Sequence, residues 1–154
     1  MDVLRARRLI LAAAAVGLVL RLGFGFLYWT GKPLTHDERE YLALAESLRE
    51  GRGLRYPPGH DTGTAQQFGR APGYPAFLAA IGAGTPVEAS PPRVKIAQSV
   101  LGAFAVWMIG LLAWRAAGPH AAAIAAGLAA VYPPLVWIGA YVFSEALYIP
   151  LALG

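Results

Sequence analysis

The alternation of long apolar runs with polar, glycine- and proline-rich joints predicts an all-α chain. The expected architecture is a polytopic transmembrane helical bundle with interfacial helices in a long first extracytoplasmic loop. Three observations carry this expectation. Of 154 residues, 56% are hydrophobic and 14% charged, and the mean hydropathy is +0.48, more apolar than a soluble domain of this size needs. The run 96–114 holds no charged residue, close to the ~20 residues that cross the hydrocarbon slab as a helix. Basic residues flank the apolar runs: Arg5, Arg7 and Arg8 precede the first, and Arg115 and His120 stand between two later ones. By the positive-inside rule the N-terminus and the joint near Pro119 face the cytoplasm.

The first span is expected at 9–29, interrupted only by Arg21 and closed by Tyr28 and Trp29 as an aromatic belt. It is longer than the apolar region of a secretory leader and lacks a clear small-residue cleavage site, so an anchor is favoured over a leader. The polar stretch 30–92 is then an outer loop, too long to be a mere connector. Its first part reads as a surface-lying helix. Thr35 is placed to cap with Glu38 three positions on, Tyr41, Leu44, Ala45 and Leu48 form an apolar stripe, and Gly51 stops it. The segment 51–69 is rich in Gly and Pro and reads as irregular. A second short interfacial helix is expected over 72–83, and a Pro- and Gly-rich break at 84–92 leads into a second span at 93–114.

Gly118-Pro119 turns the chain into a third span at 120–140, whose small residues favour close packing. Pro133-Pro134 breaks that span near the outer surface. Ser144-Glu145 opens a further span, 143–154, that is too short to cross by itself. The stop inside an apolar run is expected of the N-terminal part of a larger protein.

The net charge of +4 is the excess of thirteen Lys and Arg over nine Asp and Glu, and the basic residues are scattered and form no basic face interleaved with aromatics, which argues against a nucleic-acid partner. The chain has no cysteine, which excludes disulfides, thiolate nucleophiles and cysteine metal sites. The bias to Ala, Gly, Arg and Pro fits a GC-rich bacterial genome and hence a bacterial inner membrane.

Several residues are candidates for chemistry, each with a plain structural alternative. Glu38 fits a capping box and Asp37 a first-turn carboxylate favoured by the helix dipole. The same helix terminus favours a charged carboxylate where nearby lipid opposes it, leaving Asp37 available as a base. Arg70 is either a snorkelling cation or a proline-anchored fork for a lipid phosphate. Arg21 costs roughly 2.5 to 3.5 kcal/mol at mid-bilayer and lies about 12 Å below Trp29 at ~1.5 Å per residue. It is expected to snorkel, to pair with Glu145 or another buried carboxylate, or to hold a phosphate. Glu145, with Ser144 as a possible cap, lies on the same membrane face as Asp37 and Glu38, where carboxylates can share a divalent cation. His36 and His60 lie on that face without zinc spacing.

A first span, then Asp37-Glu38 with Tyr41, then Gly51-Arg52-Gly53, Arg70-Ala71-Pro72-Gly73-Tyr74-Pro75, Tyr132-Pro133-Pro134 and Ser144-Glu145 follow one another in this order. In this combination the chain resembles the N-terminal part of the multispanning GT-C glycosyltransferases, the class that holds protein O-mannosyltransferases and the aminoarabinose transferases of lipid A. The resemblance covers nearly the whole chain, although such enzymes have many more spans and usually a C-terminal outer domain. It implies that Asp37 is the catalytic base with Glu38 beside it. It places Arg70 near the donor phosphate, with Tyr41, Tyr74 and Arg21 completing the substrate-binding set. Glu145 would be the acidic residue of a second outer motif, forming with Asp37 a tentative site for a divalent cation. The implied partners are a polyprenyl-phosphate sugar donor, a lipid, glycan or protein hydroxyl acceptor, and membrane lipids. The implied location is the cytoplasmic (inner) membrane, multi-pass, with an extracytoplasmic active face. The rival reading is a non-catalytic small membrane bundle subunit or transporter fragment in which the acidic pair only caps a helix.

Overall fold

A computed structural model describes residues 1–56, 70–85 and 87–154. The expected irregular segment therefore lies largely outside the described residues, as does His60. The described residues are mostly helical and include no strand. The first helix, α1 (Val3–Gly23), begins at Asp2, whose carboxylate accepts the Arg5 N–H at 2.7 Å. It starts before position 9 because the arginine-rich stretch, polar but helix-favouring, simply continues the apolar run.

The end of this helix widens into a π-helical segment, Phe24–Tyr28, in which the Trp29 N–H reaches back to the Phe24 carbonyl at 2.8 Å. A widened helix end leaves carbonyls short of donors. The buried Lys95 supplies them, donating from Nζ to the Gly25 carbonyl at 2.8 Å and the Trp29 carbonyl at 2.6 Å.

The polar segment that follows includes two helices, α2 (His36–Arg49) and α3 (Gly73–Ala80). The capping box forms as expected: Thr35 Oγ1 accepts the Glu38 N–H at 3.4 Å while Glu38 Oε2 accepts the Thr35 N–H at 2.8 Å. Helix α2 ends on the Gly51-Arg52-Gly53 run. Gly51 takes φ +74°, and the bonds Arg52 N–H to Ser47 O at 2.9 Å and Gly51 N–H to Leu48 O at 3.1 Å make a Schellman motif that only a left-handed residue closes without strain. Helix α3 ends the same way at Gly82, with Leu78 and Ala83 in hydrophobic contact across the cap.

The two helices do not lie as lone strips on a surface. Eight of the fourteen residues of α2 are buried, more than one lipid-facing stripe allows. Tyr41, Leu42 and Ala45 share a core with Tyr74 and Leu78 of α3 and with Val94 and Val142. The two ends of this polar segment also meet, Pro33 bridging Ala89 and the Leu34 N–H bonding the Glu88 carbonyl at 3.2 Å.

The stretch α4 (Pro92–Val131) is two helical segments that meet at Gly118. At Gly118, φ +82° and ψ −174° break it, and Pro119 follows, so the chain reverses there. A Cβ placed on Gly110 would sit 2.9 Å from Ile10 and 3.2 Å from Ala126, and one on Gly17 would sit 3.4 Å from both Val106 and Ala130. Numbers rise along one helix as they fall along the next, so 92–117 runs antiparallel to both α1 and 119–131. At ~1.5 Å per residue, 119–131 extends only about 20 Å. The stretch expected as one span at 120–140 is therefore divided. Tyr132 is extended (ψ 115°), followed by α5 (Pro133–Trp137) and a 3₁₀ turn at Ile138–Ala140. The last helix is α6 (Glu145–Leu153).

Two helices, Val3–Tyr28 and Pro92–Val131, are long and apolar enough to cross a membrane. Only 22% and 28% of their most apolar windows are buried within the chain, and Leu11, Val19, Leu27, Val100 and Phe104 are among the apolar residues left exposed.

Candidate functional site

The side chains with chemistry gather where the N-terminal turn of α2 meets the residue leading into α3. Asp37, Glu38 and Glu40 occupy about one turn of α2, so Asp37 and Glu40, three apart, share a face, while Glu38 points away from it. Arg70 fits between Asp37 and Glu40. Its Nη2 pairs with Asp37 Oδ1 and its Nε donates to Glu40 Oε2 at 2.6 Å. The guanidinium lies over the Tyr41 ring, 5.3 Å from its centroid, a position that adds cation–π attraction. Burial opposes the Arg70 charge, but hydrogen bonds and attraction from Glu40, and then from Asp37, outweigh it and hold the pKa above its ordinary value. His36 Nε2 sits 3.2 Å from the other Glu40 oxygen.

Glu38 faces inward and is 2% exposed. Its Oε2 accepts from the Thr35 N–H and hydroxyl, and its Oε1 accepts the Val142 N–H at 2.8 Å. One oxygen closes the cap of α2 and the other ties α2 to the segment before α6. Glu38 is therefore built as a structural acceptor, while Asp37, with a half-exposed side chain, is the carboxylate open to solvent.

A second chain of contacts starts at Tyr41. Its hydroxyl donates to Ser144 Oγ at 3.2 Å, and Ser144 Oγ donates to Glu145 Oε2 at 3.3 Å. Ser144 stands at the cap position of α6 but makes no capping bond. Tyr41 meets Tyr74 edge to face at 4.9 Å. The Tyr74 hydroxyl donates to Gln98 Oε1 at 2.6 Å, and Gln98 Nε2 donates to the Gly139 carbonyl at 3.3 Å and to the Tyr141 carbonyl. Burial pushes the Tyr74 phenol well above its ordinary pKa, and the nearby Tyr41, Glu38 and Glu145 add to the shift. This keeps Tyr74 a neutral donor.

Asp37, Glu38, Arg70, Tyr41, Tyr74 and Glu145 are thus brought into one connected region, but Arg21 is not part of it. Arg21 is 1% exposed and runs through a slot of glycines. Its Nη1 donates to the Gly17 carbonyl at 2.8 Å, and a Cβ on Gly102 would collide with its Nε. The expected pairing with Glu145 is not made. Nε has no partner among the described residues. A narrow cavity between α4 and α6, lined by Arg21, Gln98, Gly102 and Ile149, joins this slot to the Tyr74–Gln98 contact.

The divalent site expected at Asp37 and Glu145 does not fit this arrangement. Asp37 is paired with Arg70, Glu145 with Ser144, and Glu38 with three donors. Among the described residues no three His, Cys, Asp or Glu side chains are grouped to hold a metal ion.

Sequence reasoning did not single out Glu40, Gln98 or Lys95. The spacing of Glu40 from both His36 and Asp37 was a readable signal. So was Gln98-Ser99, a polar pair inside an otherwise apolar run. No protein-family model, curated protein or solved structure matches the chain.

Proposed function

We propose that this chain forms part of a membrane glycosyltransferase of the GT-C kind. It would transfer a sugar from a polyprenyl-phosphate carrier to a hydroxyl acceptor at the extracytoplasmic face of the cytoplasmic membrane. The polytopic bundle expected from the apolar runs is the scaffold of this reading. The observation that carries it is the pairing of a half-exposed carboxylate, Asp37, with an anchored guanidinium, Arg70, at the start of α2. A transfer of this type needs both groups. Asp37 takes the proton of the acceptor hydroxyl as its oxygen attacks the anomeric carbon. The bond from that carbon to the phosphate oxygen breaks, its electron pair stays on the phosphate, and Arg70 offsets the charge that develops there. Attack from the face opposite the phosphate inverts the anomeric centre. Tyr41 and Tyr74 supply a ring platform beside the site, and Tyr74 remains a neutral hydroxyl.

The test is made on the full polypeptide, reconstituted in liposomes with a radiolabelled polyprenyl-phosphate hexose and a membrane lipid extract as acceptor source. Asp37→Asn is expected to lower transfer by about 10²-fold or more, the usual scale of a general base, while membrane insertion stays intact. Full transfer in that variant would defeat the assignment.

A second reading has its own support, since Asp37, Glu38 and Glu40 are all engaged within the chain. In that reading the cluster only joins α2 to its neighbours in a non-catalytic membrane subunit or transporter fragment. Absence of transfer by the wild-type polypeptide, with Arg70→Ala destabilising it, is the outcome that favours it.

A further inference from the structure

Arg70 is held by two carboxylates of unequal standing. The Glu40 side chain is 12% exposed, and its second oxygen is braced by His36 at 3.2 Å. The Asp37 side chain is 49% exposed and meets the guanidinium through one oxygen at Nη2. An exposed single-point ion pair contributes little, whereas a phosphate offers two oxygens to the edge of a guanidinium and binds it as a fork. The Tyr41 ring under Arg70 and the Glu40 contact at Nε keep the guanidinium in place when the Nη2 contact changes hands. Asp37 also stands on the first turn of α2 with its carboxylate half in solvent, so its release needs a side-chain rotation and no movement of the helix.

We propose that the Arg70–Asp37 pair is an anion-exchange site. A phosphate carried on an apolar chain displaces Asp37 from Arg70, Glu40 acts as the positioning residue that keeps Arg70 fixed, and the freed Asp37 becomes able to accept a proton. This rests on the transfer reading above and adds to it an order of events, in which carrier binding precedes the availability of the base. An enzyme built this way does not expose an unpaired carboxylate base before its donor arrives.

Binding of a short-chain polyprenyl monophosphate to the full chain in nanodiscs of zwitterionic lipid tests the exchange. Inorganic phosphate and nanodiscs containing anionic phospholipid serve as separate arms to distinguish the carrier from free phosphate and bulk headgroups. Arg70→Ala is expected to weaken carrier binding tenfold or more, and Asp37→Asn to tighten it about fivefold, since it removes the competing charge. Carbodiimide coupling to Asp37, read by mass spectrometry, is expected to speed up when the carrier is added to wild type. If Asp37→Asn binds no more tightly and coupling does not change, while Arg70→Ala still weakens binding, the exchange is overturned and the phosphate site stands. If Arg70→Ala binds as wild type does, both the exchange and the phosphate assignment fall.

Discussion

Adjacent carboxylates on α2 have opposite surroundings, and the difference follows from a 100° step around the helix. Asp37 turns toward Arg70 and solvent; Glu38 turns inward to three donors. Sequence alone fitted Glu38 to a capping box but kept both residues as catalytic candidates. Tyr74 shows the same dependence on surroundings, because a phenol displaced from water resists ionisation. Its pKa in the folded chain lies above the unfolded value of about 10, so the folded state keeps a proton that the unfolded state loses. The associated stability is complete below pH ~10 and falls as pH rises beyond it. Unfolding midpoints of detergent-solubilised protein, measured between pH 8 and 11, are expected to fall at the alkaline end. In Tyr74→Phe this fall is expected to be smaller, from a lower starting stability because Gln98 loses its donor.

Helix α2 depends on both ends and on one lateral pin. The capping box closes its start, the Schellman turn at Gly51 closes its end, and Glu38 Oε1 ties it to Val142 across more than a hundred residues of chain. Glu38→Ala is expected to cost about 2–4 kcal/mol, because it strands the buried Val142 N–H, a loss of roughly 1–3 kcal/mol, and removes half of the capping box. Thr35→Ala, which touches only the cap, is expected to cost about 1 kcal/mol. Equilibrium unfolding of the two variants checks this, and equal losses would show that the Val142 contact contributes nothing. The π-helical end of α1 follows a similar logic, since its carbonyls find their donor in Lys95, 66 residues beyond Trp29.

At the scale of the molecule, close approach of helices rests on glycine and alanine. Gly17, Gly102 and Gly110 lie where α1 meets the 92–117 segment, and Ala122, Ala126 and Ala130 fill the other side of that contact. Van der Waals packing of small residues is the main attraction between helices whose outer faces remain apolar. Gly110→Leu, which would overlap Ile10 and Ala126, is expected to loosen α1 from α4. Double-cysteine crosslinking introduced at exposed positions of the two helices is expected to fall several-fold in that variant, while resistance of the chain to alkaline extraction from membranes remains.

Helical class, the positions of the two long apolar helices, the reversal at Gly118-Pro119 and the capping box of α2 were legible in the chain, because each depends on local spacing and backbone preference. Apolar periodicity reports how far a helix runs, and Gly or Pro reports where it cannot continue. Partners distant in sequence were not legible. Glu38 with Val142, Tyr74 with Gln98, Lys95 with the end of α1, and Arg21 in its glycine slot each join residues whose meeting depends on how three helices and a folded polar segment stack together. Local pattern therefore placed Asp37 and Arg70 among the candidates. Packing separated Asp37 from Glu38, gave Arg70 its second carboxylate and set Arg21 apart, because burial and hydrogen bonding belong to the assembled chain.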